Sequence, residues 1–285
     1  MRQKSDAGRL TTLRWSLRGA SVSIEMNAKP AERGNVTIEF QEVEYCVPGR
    51  HSAPILSQIS LKILRGETVM LLGRSGSGKT TLLKLVNRLL KATAGTVFVN
   101  GASVDSMDPI RLRRGIGFVI QEGGLFPHYT VAKNVVVVPR MLGWTPVRWA
   151  VRYEEMMRLV GLDPKELGKR LPRELSGGQR QRVGVARALA ADPEILLMDE
   201  PFAALDPVTR AELQREFAEL AKRLGKTILF VTHDLREALR IGSRIVMLAE
   251  GRIVADAAPE NFLRIDHPEV KAFAATFEVQ SGARG

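Results

Sequence analysis

The run Gly73-Arg74-Ser75-Gly76-Ser77-Gly78-Lys79-Thr80 constrains the fold of this chain more than any other stretch. It fits the pattern G-x-x-x-x-G-K-[ST] at every position. Ahead of it, Val69 to Leu72 reads as a short apolar strand. Behind it, Thr81 to Leu90 carries leucines and Val86 at helical spacing. Strand, glycine-rich turn and helix together make a phosphate-binding loop. The glycines let successive N–H groups point inward, and the helix N-terminus adds a partial positive charge. Lys79 can reach the β- and γ-phosphates of a bound chain, and the Thr80 hydroxyl can hold Mg²⁺.

The remaining pattern supplies a sheet for that loop. Val36 to Phe40 and Ile59 to Ile63 alternate apolar and polar, as half-buried strands do; Val43 to Tyr45 continues the first or pairs with it. Gly95 to Gly101 reads as a strand ending in an Asn-Gly turn. Pro109 to Arg114 reads as a short helix and Ile116 to Ile120 as a strand that runs into Gln121. Residues 122–190 read mostly as helix, with candidates at Val131–Leu142, Pro146–Leu162 and Ser176–Ala190. Core strands return at Ile195–Met198 and Thr227–Val231. The helix between them is capped by Asp206, opens on Pro207, and has Leu213, Phe217, Leu220 and Leu224 as its apolar stripe. Arg244–Leu248 and Arg252–Ala255 flank Gly251 as a hairpin, and short helices are expected near Glu260–Ile265 and Glu269–Phe277. Strands alternating with helices imply an α/β core with a largely parallel sheet.

Three further groups carry chemistry. Ile195 to Met198 is an apolar strand that ends in Asp199 and Glu200. Asp199 stands where phosphate-loop proteins hold their metal, and Glu200 can polarise a water for attack on a phosphate. His233 follows the strand Thr227–Val231, at the strand end where α/β proteins place their sites; it can hydrogen-bond the γ-phosphate or hold the attacking water. Leu175-Ser176-Gly177-Gly178-Gln179 opens a helix with small residues and a hydroxyl, a second anion site. One chain has one phosphate loop, so two such sites suggest that two chains share each nucleotide.

On these residues the sequence resembles the ATPase subunits of ABC transporters, over about Val36 to Phe277. Leu175 to Gln179 matches that family's signature motif in full, after a phosphate loop and before an acid-ended strand. The resemblance implies a P-loop NTPase (RecA-like) α/β core with an N-terminal antiparallel β-subdomain and an inserted α-helical subdomain. It implies domain limits of 36–277, with the helical subdomain at about 122–190, a polar disordered tail at 1–35 and a short tail at 278–285. ATP and Mg²⁺ are the implied ligands. Gly73, Arg74, Ser75, Gly76, Ser77, Gly78, Lys79, Thr80 and Thr81 of one copy and Ser176, Gly177, Gly178 and Gln179 of another would enclose ATP. Tyr45 matches the residue that stacks on adenine, although it stands 34 residues before Lys79 with the Pro48–Pro54 insert between. Gln121 matches the glutamine that contacts Mg²⁺ or water, beside Thr80 and Asp199 as metal ligands. Glu200, His233, Gln121 and Lys79 are the implied catalytic set, and Ala204-Leu205-Asp206 matches a loop that crosses the dimer interface.

Finer fragments narrow the resemblance. Asn87-Arg88-Leu89, Gly117 to Gln121, Leu125-Phe126-Pro127-His128, Val138-Pro139, Gly184 to Pro193 and Pro201-Phe202 together are similar to ATPases of osmoprotectant importers, which move glycine betaine, carnitine or choline; amino-acid importers share several of them. The implied partners are a second copy of the chain, membrane permease subunits and an extracytoplasmic substrate-binding protein, with the ATPase peripheral on the cytoplasmic face of the membrane. Gly124 to His128 is the expected contact for a permease helix, its alternative being a buried loop. Many members of that subfamily continue into CBS regulatory domains; this sequence stops at Gly285, which puts osmotic gating by that route in doubt.

Composition excludes some classes. No run of about 18 apolar residues is present, so no membrane-spanning helix is expected. Cys46 is the single cysteine, so no intrachain disulfide can form. Residues 1–35 hold seven Lys/Arg and three Asp/Glu, +4 of the formal +11. They read as a leader, or as a stretch ahead of a start at Met26. The charge, including Arg111, Arg113 and Arg114, lacks the aromatic interleaving of a nucleic-acid surface, so a nucleic-acid-associated ATPase is the weaker alternative.

Overall fold

A computed structural model describes residues 11–17, 20–26, 35–49, 53–121, 124–203 and 205–282. In chain order the strands are β1 (Thr11–Leu17), β2 (Ala20–Met26), β3 (Val36–Tyr45), β4 (Leu56–Leu64), β5 (Thr68–Leu72), β6 (Ala94–Val99), β7 (Ala102–Ser103), β8 (Ile116–Val119), β9 (Ile195–Asp199), β10 (Thr227–Thr232), β11 (Arg244–Ala249) and β12 (Arg252–Ala257). The helices are α1 (Lys79–Val86), α2 (Pro109–Arg114), α3 (Val131–Val135), α4 (Val137–Met141), α5 (Pro146–Leu159), α6 (Pro164–Leu167), α7 (Gly177–Leu189), α8 (Pro207–Leu224), α9 (Leu235–Ile241), α10 (Pro259–Phe262) and α11 (Pro268–Gly282).

The central sheet has the order β12-β11-β5-β10-β9-β8, parallel except for the hairpin strand β12. Every residue of β5, β9 and β10 is buried, which is why these strands read as unbroken apolar runs. Their side chains part by the two-residue period of a strand. Val69, Leu71, Leu197, Leu229 and Val231 join a core with α1 and with the antiparallel sheet β4-β3-β6-β7. Met70, Leu72, Leu196, Met198, Ile228 and Phe230 join the other core, which runs without a break into α3, α5, α7, α8 and α9. Leu213, Phe217, Leu220 and Leu224 of α8 lie in this second core, as their spacing predicts.

Val36 to Tyr45 is one strand, the continuous alternative, bent by a register shift between Phe40 and Val43 where Glu42 has φ 47°. Other elements differ from expectation. The expected helix over 131–142 divides at Val136, because Pro139 has no N–H to donate to the Val135 carbonyl. The helix after the phosphate loop stops at Val86, four residues early, where Asn87 accepts from the Leu89 amide (3.2 Å) and Arg88 turns left-handed at φ 54°. The structure also pairs β1 with β2 as an antiparallel hairpin where a polar tail is expected, and carries α11 to Gly282, past the expected boundary at 278. Leu13 stands opposite Ile24 and Trp15 opposite Val22. Their alternation with polar neighbours is the signal in the sequence. The rest of the expected leader, residues 50–52 of the turn-rich insert, residues 122–123, Ala204 and residues 283–285 lie outside the described residues.

Candidate active site

Parallel pairing aligns the carboxyl ends of the central strands. Leu72 lies opposite Thr232, Val231 opposite Asp199 and Met198 opposite Val119. The phosphate loop, Glu200, His233 and Gln121 follow these four ends, on the edge where open α/β sheets form ligand sites. Gly73 has φ 154°, and a Cβ there would stand 2.3 Å from the Leu248 carbonyl oxygen and 2.7 Å from Ser77 Oγ. Any larger residue would lift the loop off β11. Arg74, Ser75 and Gly76 form an exposed rim, whereas Ser77, Gly78 and Lys79 are buried and Thr80 and Thr81 are half-buried. No side chain caps α1, which leaves its first-turn amides free for an anion.

Lys79 fills the loop. Its Nζ donates to the carbonyls of Gly73 (2.8 Å) and Arg74 (2.7 Å), and it is 5% exposed. Burial lowers its pKa, against the opposing pull of Glu200 and Asp199. Thr80 Oγ1 donates to Asp199 Oδ1 at 2.9 Å. Burial raises the Asp199 pKa; the Thr80 hydroxyl, Lys84 and Lys79 oppose that rise, and Glu200 adds to it. Glu200 departs from the strand with a left-handed backbone, φ 42°, and its N–H donates to the Val231 carbonyl (3.1 Å). Its Oε2 lies 3.2 Å from His233 Nδ1. The two neighbouring carboxyl groups thus meet different partners, Asp199 the phosphate loop and Glu200 the histidine.

A hydroxyl and a carboxylate at 2.9 Å make a hard-oxygen donor pair that suits Mg²⁺. Among the described residues there is no group of three or more His, Cys, Asp or Glu able to hold a metal. The pair therefore fits an ion shared with phosphate and water better than an all-protein cage.

The second anion site is built on two helix starts. Ser176 Oγ accepts from the Gln179 amide (3.2 Å) while the Ser176 amide donates to Gln179 Oε1 (2.9 Å), a reciprocal cap on α7. Asp206 caps α8 by accepting from the amides of Thr209 (3.0 Å) and Val208 (3.1 Å), and these donations hold its carboxyl below the usual range. At Gly178 a Cβ would lie 2.8 Å from Thr209 Cγ2, so only glycine lets the two helix starts approach this closely. Gly177 and Leu205 adjoin the same seam.

Two site residues sit less openly. Tyr45 ends β3 and is 8% exposed in the core, opposite Leu56, which packs against Gly78. Gln121 is exposed, two residues beyond β8. The Gly124–His128 segment has Leu125 partly packed on the core and Phe126 41% exposed. Asn134 holds it. This fully buried side chain accepts from the Phe126 amide (2.8 Å) and donates to the carbonyls of Phe126, Tyr129 and Thr130. Sequence reasoning missed Asn134; a polar residue on the inner side of a valine-rich helix is the signal that could have found it.

This sheet, loop and acid-ended strand are those of a P-loop NTPase. The chain belongs to the ABC transporter family, whose model matches residues 56–203. It is 49% identical over 208 residues to an osmoprotectant import ATP-binding protein of Salmonella typhimurium, covering 73% of this chain and 54% of that one. It is 47% identical over 226 residues to a glycine betaine uptake system ATP-binding protein of Escherichia coli, covering 79% and 72%. A dimeric ATP-binding cassette in a post-hydrolysis state bound to ADP and Pi superposes with a TM-score of 0.70 at 32% identity, covering 78% of this chain and 98% of that chain. The chain spans about half the length of several curated relatives that it matches.

Proposed function

We propose that this chain is the ATP-hydrolysing, energy-coupling subunit of a binding-protein-dependent importer for quaternary-amine osmoprotectants such as glycine betaine, carnitine or choline. The observation that carries the catalytic part is the pairing of Thr80 with Asp199 and of Glu200 with His233 at one sheet edge. Lys79 exchanges the Gly73 and Arg74 carbonyls for phosphate oxygens, and the loop amides bind the same chain. Thr80 and Asp199, with Gln121, would hold Mg²⁺, which would supply neutralising charge for the phosphate oxygens. Glu200 accepts the proton of the attacking water, and His233 keeps the Glu200 carboxylate oriented toward it. Tyr45 packs against the adenine.

A second copy lends Ser176, Gly177, Gly178, Gln179 and Asp206 to each ATP, so closure of the dimer completes the site and gates hydrolysis. The dimeric state of the structural neighbour supports this. The Gly124–His128 segment, held by Asn134, meets the permease on the cytoplasmic face of the membrane, and the binding protein delivers solute to that permease. The relatives named for osmoprotectant import and glycine betaine uptake support the substrate class.

Glu200→Gln tests the chemistry. Turnover should fall about a hundredfold or more while ATP binding persists, because only the base is lost. Wild-type turnover in that variant would remove Glu200 from its role. Lys79→Ala should weaken ATP binding instead, and unchanged binding would contradict the phosphate-loop assignment.

A further inference from the structure

Two sets of side-chain hydrogen bonds along one face of α8 hold two loops of the proposed site, and none of the roles above uses them. Arg210, near the start of α8, donates from Nε to the Phe202 carbonyl (3.2 Å) and from Nη2 to the carbonyls of Ala203 (3.0 Å) and Leu205 (2.9 Å). All three acceptors lie between Glu200 and Asp206. Gln214 is one turn further along the same face of α8, 7% exposed, and its Nε2 donates to Glu237 Oε1 at 3.1 Å. Glu237, on α9, is 4% exposed and also hydrogen-bonds the side chain of Thr232, the residue before His233. Thr232 Oγ1 accepts from the Asp234 amide (2.9 Å), and Asp234 caps α9 at the amides of Arg236 and Glu237.

A buried carboxyl group is unfavourable unless its partners are fixed, so Gln214, Glu237 and Thr232 are held in one arrangement, and the Arg210 charge favours the same group. The rings of Phe202, Phe217 and Phe230 stack edge to face or tilted at 5.9–6.0 Å across the same elements. A close-packed unit of this kind shifts as a whole rather than deforming.

We propose that Arg210, Gln214 and Glu237 are positioning residues that transmit the placement of the Phe202–Asp206 segment to His233, so that hydrolysis waits on engagement of that segment by a second copy. The proposal rests on Glu200 and His233 being the hydrolytic pair and on a second copy completing the site. It adds the route by which dimer closure is sensed. None of the three residues touches nucleotide in this scheme, so their loss lowers kcat and spares ATP binding.

The test compares wild type with Gln214→Glu, Glu237→Gln and the exchange Gln214→Glu/Glu237→Gln, at a temperature below the melting transition of each. Gln214→Glu sets two carboxyl groups face to face. Its kcat should fall about tenfold or more, with KM for ATP within about twofold. ATP-driven association, measured by size exclusion in a Glu200→Gln background, should persist. The exchange swaps donor and acceptor, and should return kcat to within about threefold of wild type. Where Gln214→Glu fails to fold, Gln214→Met removes the donor at similar volume and should show the same loss of kcat at unchanged KM. Three results would overturn the proposal: an unchanged kcat, a loss that the exchange does not restore, or loss of association together with kcat. Failure of the parent reading looks different, since turnover would then be absent in wild type or unaffected by Glu200→Gln alone.

Discussion

Burial gives the carboxyl groups near the sheet edge unequal proton affinities. Burial pushes Glu237 from an ordinary 4.5 up to about 7; the Thr232 and Gln214 hydrogen bonds and Arg210 oppose the rise, and Asp234 adds to it. The folded chain therefore holds that proton more tightly than the unfolded chain does. Stability from this group is greatest below pH 4.5 and declines as pH rises to about 7, by up to about 3 kcal/mol. Thermal melts at pH 5.5 and pH 8 should show wild type losing more than Glu237→Gln between the two. Equal losses would contradict the assignment. Asn134 sets a second residue-scale expectation. Asn134→Ala takes the acceptor from the Phe126 amide and the side-chain donor from the Tyr129 carbonyl, and should cost about 1–3 kcal/mol in denaturant unfolding. A change within about 0.5 kcal/mol would mean that the segment holds itself.

At the scale of elements, both helix starts of the second anion site depend on side-chain caps. Asp206→Ala should remove about 1 kcal/mol from α8, read as a fall in melting temperature, besides any effect on dimer closure. These starts were legible in the sequence because Ser176 and Asp206 each precede an amphipathic run. Strands β5, β9 and β10 were legible as apolar runs for a related reason, since a strand buried on both faces admits polar residues here only at its ends. The site followed from them: the phosphate loop, Asp199, Glu200 and His233 each stand at the end of such a run. Pro139 should have signalled the division between α3 and α4, but the valines around it carried the helical pattern past it. The hairpin β1–β2 was obscured by the basic residues that flank its short alternating strands. Arg210, Gln214 and Glu237 could not be singled out, because a polar residue on a helix reads as solvated until packing shows what it faces.

At the scale of the whole molecule, the sheet divides the labour. One face carries the antiparallel sheet and α1 behind the phosphate loop; the other carries the helical block with the signature helix α7 and the Gly124–His128 segment. Among the described residues no helix is long and apolar enough to cross a membrane. In the proposed scheme, work on a solute passes through a permease contacted by this segment. That scheme also makes the chain's ATP turnover sensitive to a solute it never touches. The decisive measurement is ATP turnover of the chain assembled with its permease in liposomes, with the binding protein present, with and without glycine betaine, carnitine or choline. Stimulation several-fold by one of these solutes, abolished by Glu200→Gln, is the expected result. An active complex that ignores all three would contradict the osmoprotectant role and leave only the ATPase chemistry standing.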